Sequence, residues 1–112
     1  MIARTFLALV AVTVIPVINP NATTQVARSA RSHVVTLRHI AFHPRTLTIQ
    51  RDESVTWLWA DRGIAHNVTG HGFRSATRTH GSFTVRFPHT GVFNYRCTVH
   101  QVEGMTGTVV VR

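Results

Sequence analysis

From His33 to Arg112 the chain has no apolar run longer than a strand and no helical repeat. Its β-branched and aromatic residues come in short stretches, with turn residues between them. The stretches are His33–Ile40, Thr46–Gln50, Ser54–Ala60, a short one at His66–Thr69, Ser82–Phe87, Val92–Cys97 and Thr106–Arg112. Within them the spacing is two: Val55, Trp57 and Trp59 share one face, as do Phe83, Val85 and Phe87. Alternation of this kind is the mark of a half-buried strand, whereas a helix needs apolar residues every three or four positions. Pro44, Asp52, Gly63, Gly81, Pro88 and Gly91 punctuate the runs. Short strands at this spacing predict an all-β, two-sheet antiparallel sandwich. Gly70–Gly81 reads as a loop crossing between the sheets.

The N-terminus has a different character. Arg4 precedes an apolar stretch, Phe6–Ile18, which Pro16, Asn19 and Pro20 bring to an end. At roughly 13 residues it is short for a membrane span and fits the apolar region of a secretory signal. The expected organisation is a signal peptide or retained anchor over 1–22, a linker over 23–32 and a folded domain over 33–112. Ala22 and Ala30 are both candidate cleavage positions. An exported protein of this length is periplasmic, extracellular or held at the cell surface.

The chain of 112 residues carries twelve basic residues, all arginine, against four acidic ones, for a net charge of +8. The arginines are spread singly, with no run or helical stripe, and no nucleic-acid motif accompanies them. The charge therefore implies faster encounter with acidic partners rather than nucleic-acid binding.

Cys97 is the one cysteine, so it cannot form an intramolecular disulfide. It is an intermolecular bridge, an inert thiol, a nucleophile or a metal ligand. His100 follows three residues later and Met105 five beyond that, where the last strand begins. One short loop thus delivers a thiol, an imidazole and a thioether to one end of the sandwich. Soft sulfur with imidazole suits copper, and two histidines, one cysteine and a weak axial methionine make a blue-copper set. The second histidine must come from elsewhere, and His66, after the tryptophan-rich strand, is the best candidate. A Cys–His nucleophile pair finds no orienting third group, so no enzyme is expected.

Residues Gly91–His100, then Met105 and Gly107–Val111, resemble the end of a cupredoxin of the plastocyanin, pseudoazurin and amicyanin type. His66-Asn67-Val68 resembles that group's first-ligand motif, and Phe42-His43-Pro44, Val55-Thr56-Trp57 and Phe73-Arg74-Ser75 resemble its earlier segments. The spacing of four residues between His100 and Met105 is similar to plastocyanin and pseudoazurin; Trp59 and Ala65 stand where the group usually has Asn and Pro. The resemblance implies a Greek-key, cupredoxin-like sandwich holding one type 1 copper ion on His66, Cys97, His100 and Met105. It implies that Asn67 ties its strand to the Cys97 loop, with Thr98 in the same bracing. The function implied is one-electron transfer, by a monomer, with an acidic redox partner such as a cytochrome or oxidase; association with a membrane surface stays open. A copper carrier or store, and a metal-free structural sandwich, are the alternatives.

Overall fold

The structure is a computed structural model that describes residues 10–15 and 32–112. The expected signal and linker lie outside the described residues except at 10–15, which have no regular secondary structure. Nine strands form among the described residues: β1 (Ser32–Leu37), β2 (Phe42–His43), β3 (Thr46–Ile49), β4 (Ser54–Trp59), β5 (Thr69–Gly70), β6 (Phe73–Arg74), β7 (Ser82–Arg86), β8 (Gly91–Arg96) and β9 (Thr106–Val111). One sheet has the order β2-β1-β4-β7 and the other β3-β9-β8-β5-β6.

Alternation decides which side chains enter the core. Val55, Trp57 and Trp59 of β4 are all buried, and so are Val35 and Leu37 of β1. Val109 and Val111 of β9, Tyr95 of β8 and Ile49 of β3 meet them from the second sheet. Trp57 is the hub. It stacks on Phe73 with ring centroids 5.8 Å apart and meets Tyr95 edge to face at 5.2 Å. Gly70 and Gly107 allow this packing, because a methyl group at either would run into the ring of Phe73 or Tyr95.

The all-β, two-sheet architecture is as expected, but the sheets are mixed rather than purely antiparallel. β1 pairs with β4 in parallel, and β3 pairs with β9 in parallel. The cause is the path of the chain. After β2 it crosses to the second sheet as β3 and crosses back as β4, so β4 runs in the direction of β1. Parallel neighbours need a crossover of this kind, which a hairpin cannot provide. The first strand also ends earlier than its apolar run. His39 and Ile40 both have φ of 54°, and Arg38 and Ala41 exchange backbone hydrogen bonds of 3.1 and 3.2 Å. That turn sends the chain back as β2. The Gly70–Gly81 stretch is more than a crossing loop, because it contributes β6 and a bridge between Arg78 and His66.

Tyr95 supplies a pH test of this core, since it is the one tyrosine in the chain. Burial pushes its phenol up to about 12, and the nearby Trp57 indole only partly offsets that. Neither Trp57 Nε1 nor the Tyr95 hydroxyl makes a well-formed hydrogen bond. A raised folded pKa means that the stability from the neutral phenol is full below the ordinary value of 10.0 and is lost as pH rises toward 12. Ultraviolet titration of the native protein is expected to show ionisation near 12, falling to near 10 in denaturant. Native ionisation at 10 would mean that the phenol is solvated.

Candidate metal centre

The site is built at the end of the sandwich where the β8–β9 loop meets the segment between β4 and β5. Cys97 continues the inward face of β8 one residue past its end, and its side chain is wholly buried. An exposed intermolecular disulfide is thereby excluded. The loop after it is closed by its own backbone: Cys97 N–H donates to the Met105 carbonyl at 3.0 Å, and Met105 N–H donates to the His100 carbonyl at 3.3 Å. Gly104, with φ of 71°, makes the tight turn that returns the chain to β9. Met105 is buried immediately before that strand.

His66 is also wholly buried, and each of its polar atoms has a partner. Its backbone N–H and C=O pair with Arg78 at 2.9 and 3.0 Å. The Trp59 indole N–H donates to the same carbonyl at 3.1 Å. Trp59 thus braces the His66 backbone, and the Arg78 guanidinium lies 5.2 Å above its ring. The His66 ring is oriented from both sides: Nε2 lies 2.9 Å from Asp61 Oδ2, and Nδ1 lies 3.8 Å from Cys97 Sγ. A carboxylate only accepts, so Nε2 carries the proton and Nδ1 presents its lone pair toward the sulfur. Asp61 also accepts the Ile40 N–H at 2.9 Å. That hydrogen bond first, and the His66 ring after desolvation has opposed it, hold the carboxyl below the ordinary 3.8.

Asn67 joins the two halves of the site. Its N–H points at Cys97 Sγ at 3.4 Å. Its side chain donates to Thr98 Oγ1 at 2.7 Å and accepts the Thr98 N–H at 3.0 Å. A further donation to Thr77 Oγ1 at 3.0 Å extends the network.

His100 is half-buried beside this pair, with its ring centroid 4.8 Å from that of His66. Its Nε2 lies 3.1 Å from the Ala65 carbonyl, and its Nδ1 lies 3.7 Å from Glu103 Oε1. The four predicted residues are therefore gathered at one end, with Cys97 and His66 in contact. His100 turns to the backbone instead, and among the described residues no three His, Cys, Asp or Glu side chains stand ready-made around one point. Of the remaining histidines, His39, His43, His71, His80 and His89 are exposed. His33 is not simply solvated: it is half-buried, with Nε2 3.3 Å from the buried Glu53. Asp61 is the residue that sequence reasoning missed. It reads as part of an Asp-Arg-Gly turn, and the available signal was its place five residues before His66 in a chain with few carboxylates.

A two-sheet sandwich with a buried thiol beside an imidazole at the strand ends defines the cupredoxin class. The family model for copper-binding proteins of the plastocyanin/azurin family matches residues 30–112. Halocyanin of Natronomonas pharaonis is 36% identical over 78 residues, which cover 63% of this chain and 48% of that protein. Chloroplastic plastocyanin of Tetradesmus obliquus is 31% identical over 87 residues, covering 65% of this chain and 59% of that protein. The chain thus spans only about half to three fifths of these relatives. Among solved structures, oxidised plastocyanin from Dryopteris crassirhizoma superposes with a TM-score of 0.63 at 18% identity, covering 71% of this chain and 100% of that one. A reduced Cu(I) amicyanin superposes with a TM-score of 0.63 at 24% identity, covering 72% and 82%. The chain belongs to the plastocyanin/azurin family of copper-binding proteins.

Proposed function

We propose that His66, Cys97, His100 and Met105 hold one type 1 copper ion and that the protein is an exported, monomeric one-electron carrier. The observation that carries this reading is the buried Cys97 sulfur, 3.8 Å from Nδ1 of a histidine whose other nitrogen is held by a carboxylate. A thiolate and a neutral imidazole are the donors that such a metal takes. Bound copper supplies a Cu(I)/Cu(II) couple. The chain's own contribution is to keep donors and surroundings still. The Asn67 N–H on the sulfur, the Asn67–Thr98 pair and the Trp59 and Arg78 contacts to His66 resist movement when charge at the site changes. A site that moves little has a low reorganisation cost. His100 is the member nearest solvent, between the exposed Val99 and Val102, so electrons leave through its edge. The surrounding positive charge favours an acidic redox partner.

The test is a visible and electron-paramagnetic-resonance spectrum after copper loading. An intense blue absorption with one copper per chain is expected. A colourless protein that prefers zinc would overturn the electron-carrier reading, and tight copper binding without reversible voltammetry would favour a copper store. Met105→Leu is expected to retain copper and raise the reduction potential, because a weak donor is lost; an unchanged potential would remove Met105 from the ligand set.

A further inference from the structure

The arginines are scattered along the sequence, but the register of the five-stranded sheet collects three of them. Thr106 of β9 lies opposite Arg96 of β8, Arg96 lies opposite Thr69 of β5, and Thr69 lies opposite Arg74 of β6. Residues directly opposite one another project from the same face. Arg45, immediately before β3, completes the row from the other side: its Nη2 donates to Thr106 Oγ1 at 3.0 Å, and its carbonyl accepts the Thr108 N–H at 2.8 Å. Read across the sheet, the outer face carries Arg45, Thr106, Arg96, Thr69 and Arg74. At about 4.8 Å between strands the row is roughly 20 Å long. A cleft of about 390 Å³ opens between Arg45 and Arg96. All three arginines are exposed.

Among the described residues no side-chain carboxylate pairs with this row. The four carboxylates are engaged elsewhere: Asp52 with Arg86, Glu53 with His33, Asp61 with His66 and Glu103 with His100. Three like charges on one face repel one another unless an external anion sits among them. We infer that this row is a docking surface for the carboxylate-bearing face of the protein's electron-exchange partner, an inference that rests on the electron-carrier reading. Guanidinium groups take carboxylates through paired N–H donors, and the Thr106 hydroxyl, which accepts from Arg45, keeps its own proton to donate at the same level. Position supports the assignment. Arg96 is covalently next to Cys97, and Thr106 is next to Met105, so a partner on this face lies one residue from two proposed ligands. A nucleic acid fits less well. The row holds no aromatic side chain on which a base could stack, and the sheet face offers no element to enter a groove.

The test uses the full chain and poly-L-glutamate at low salt, with affinity from calorimetry and location from amide chemical shifts. The R45Q/R74Q/R96Q variant is expected to bind about tenfold more weakly, from three exposed ion pairs lost. R38Q/R51Q/R112Q removes the same charge elsewhere and is expected to change affinity by less than about threefold. Shifts are expected at Thr69, Arg74, Asn94, Arg96 and Thr106. Equal losses in the two variants, or shifts centred on another face, would overturn the inference. So would a single-stranded oligonucleotide that outcompetes poly-L-glutamate for the same row. The measurement needs no copper. Row-dependent binding by a colourless protein would overturn the electron-carrier reading, and with it the redox identity of the partner, while leaving the row a carboxylate-binding surface; a blue protein without such binding would overturn the docking surface alone.

Discussion

Replacing Cys97 by serine is expected to abolish the blue absorption of the copper-loaded protein while leaving the fold intact. The colour depends on a thiolate bound to the metal, and a serine hydroxyl stays protonated at neutral pH and is a hard, poor donor to copper. The loss of affinity is expected to exceed the ~10–100-fold that follows removal of a group one step behind a ligand. The fold has little reason to fail. Cys97 is held by its backbone N–H on the Met105 carbonyl, which the substitution does not touch. The Asn67 N–H that faces the sulfur at 3.4 Å retains an acceptor in the serine oxygen. Stability of the metal-free protein is expected to change by about 1 kcal/mol, the scale of one hydrogen bond. Denaturant unfolding alongside the visible spectrum separates the two effects. Colour that survives the substitution would place the metal on other residues.

Asp61→Asn carries the second large effect. The carboxylate fixes the His66 proton on Nε2, 2.9 Å away, so Nδ1 faces Cys97 with its lone pair. An asparagine amide can donate as well as accept. Because Oδ2 accepts from both the Ile40 N–H and His66 Nε2, the amide either keeps its oxygen there as a weaker acceptor or turns its NH2 to Nε2 at the cost of opposing the Ile40 N–H. Negative charge that makes the imidazole a better donor is lost as well. Copper affinity is expected to fall by ~10–100-fold. The reduction potential is expected to rise, because a nearby negative charge favours the more positive Cu(II). Competition with a chelator measures the first effect and voltammetry the second. Asp61→Glu, which keeps the charge, is expected to fall between wild type and Asn. An Asn variant with unchanged affinity and potential would reduce Asp61 to a brace for the Ile40 turn.

Much of the fold was legible because strand alternation is a local property. The period-two placement of Val55, Trp57 and Trp59, and of Tyr95 and Cys97, already says which side faces inward, and these residues are the buried ones. Strand direction was not legible. The β1–β4 and β3–β9 ladders are parallel because of where the chain crosses between sheets, and no local pattern encodes a crossing. The ends of the first run were misread for a related reason: His39 and Ile40 look like strand residues, but the turn into β2 places them in the left-handed region.

The site divides in the same way. By itself the sequence determined the candidate donor loop, since a lone cysteine, a histidine three residues on and the methionine beyond are covalently close and must reach one end of the sandwich together. It also determined, through Phe93, Tyr95 and Cys97, that the sulfur would point inward. Only the tertiary structure decided what surrounds that loop. The contact of His66 with Cys97 spans 31 positions, and the Asn67–Thr98 pair also spans 31. Asp61 became part of the site because a turn folds it under the His66 ring. Arg45, Arg74 and Arg96, unremarkable as single charges in the chain, became a charged row because strand register stacks distant residues side by side. Local periodicity says which face a side chain takes, whereas only long-range pairing says which neighbours it finds there.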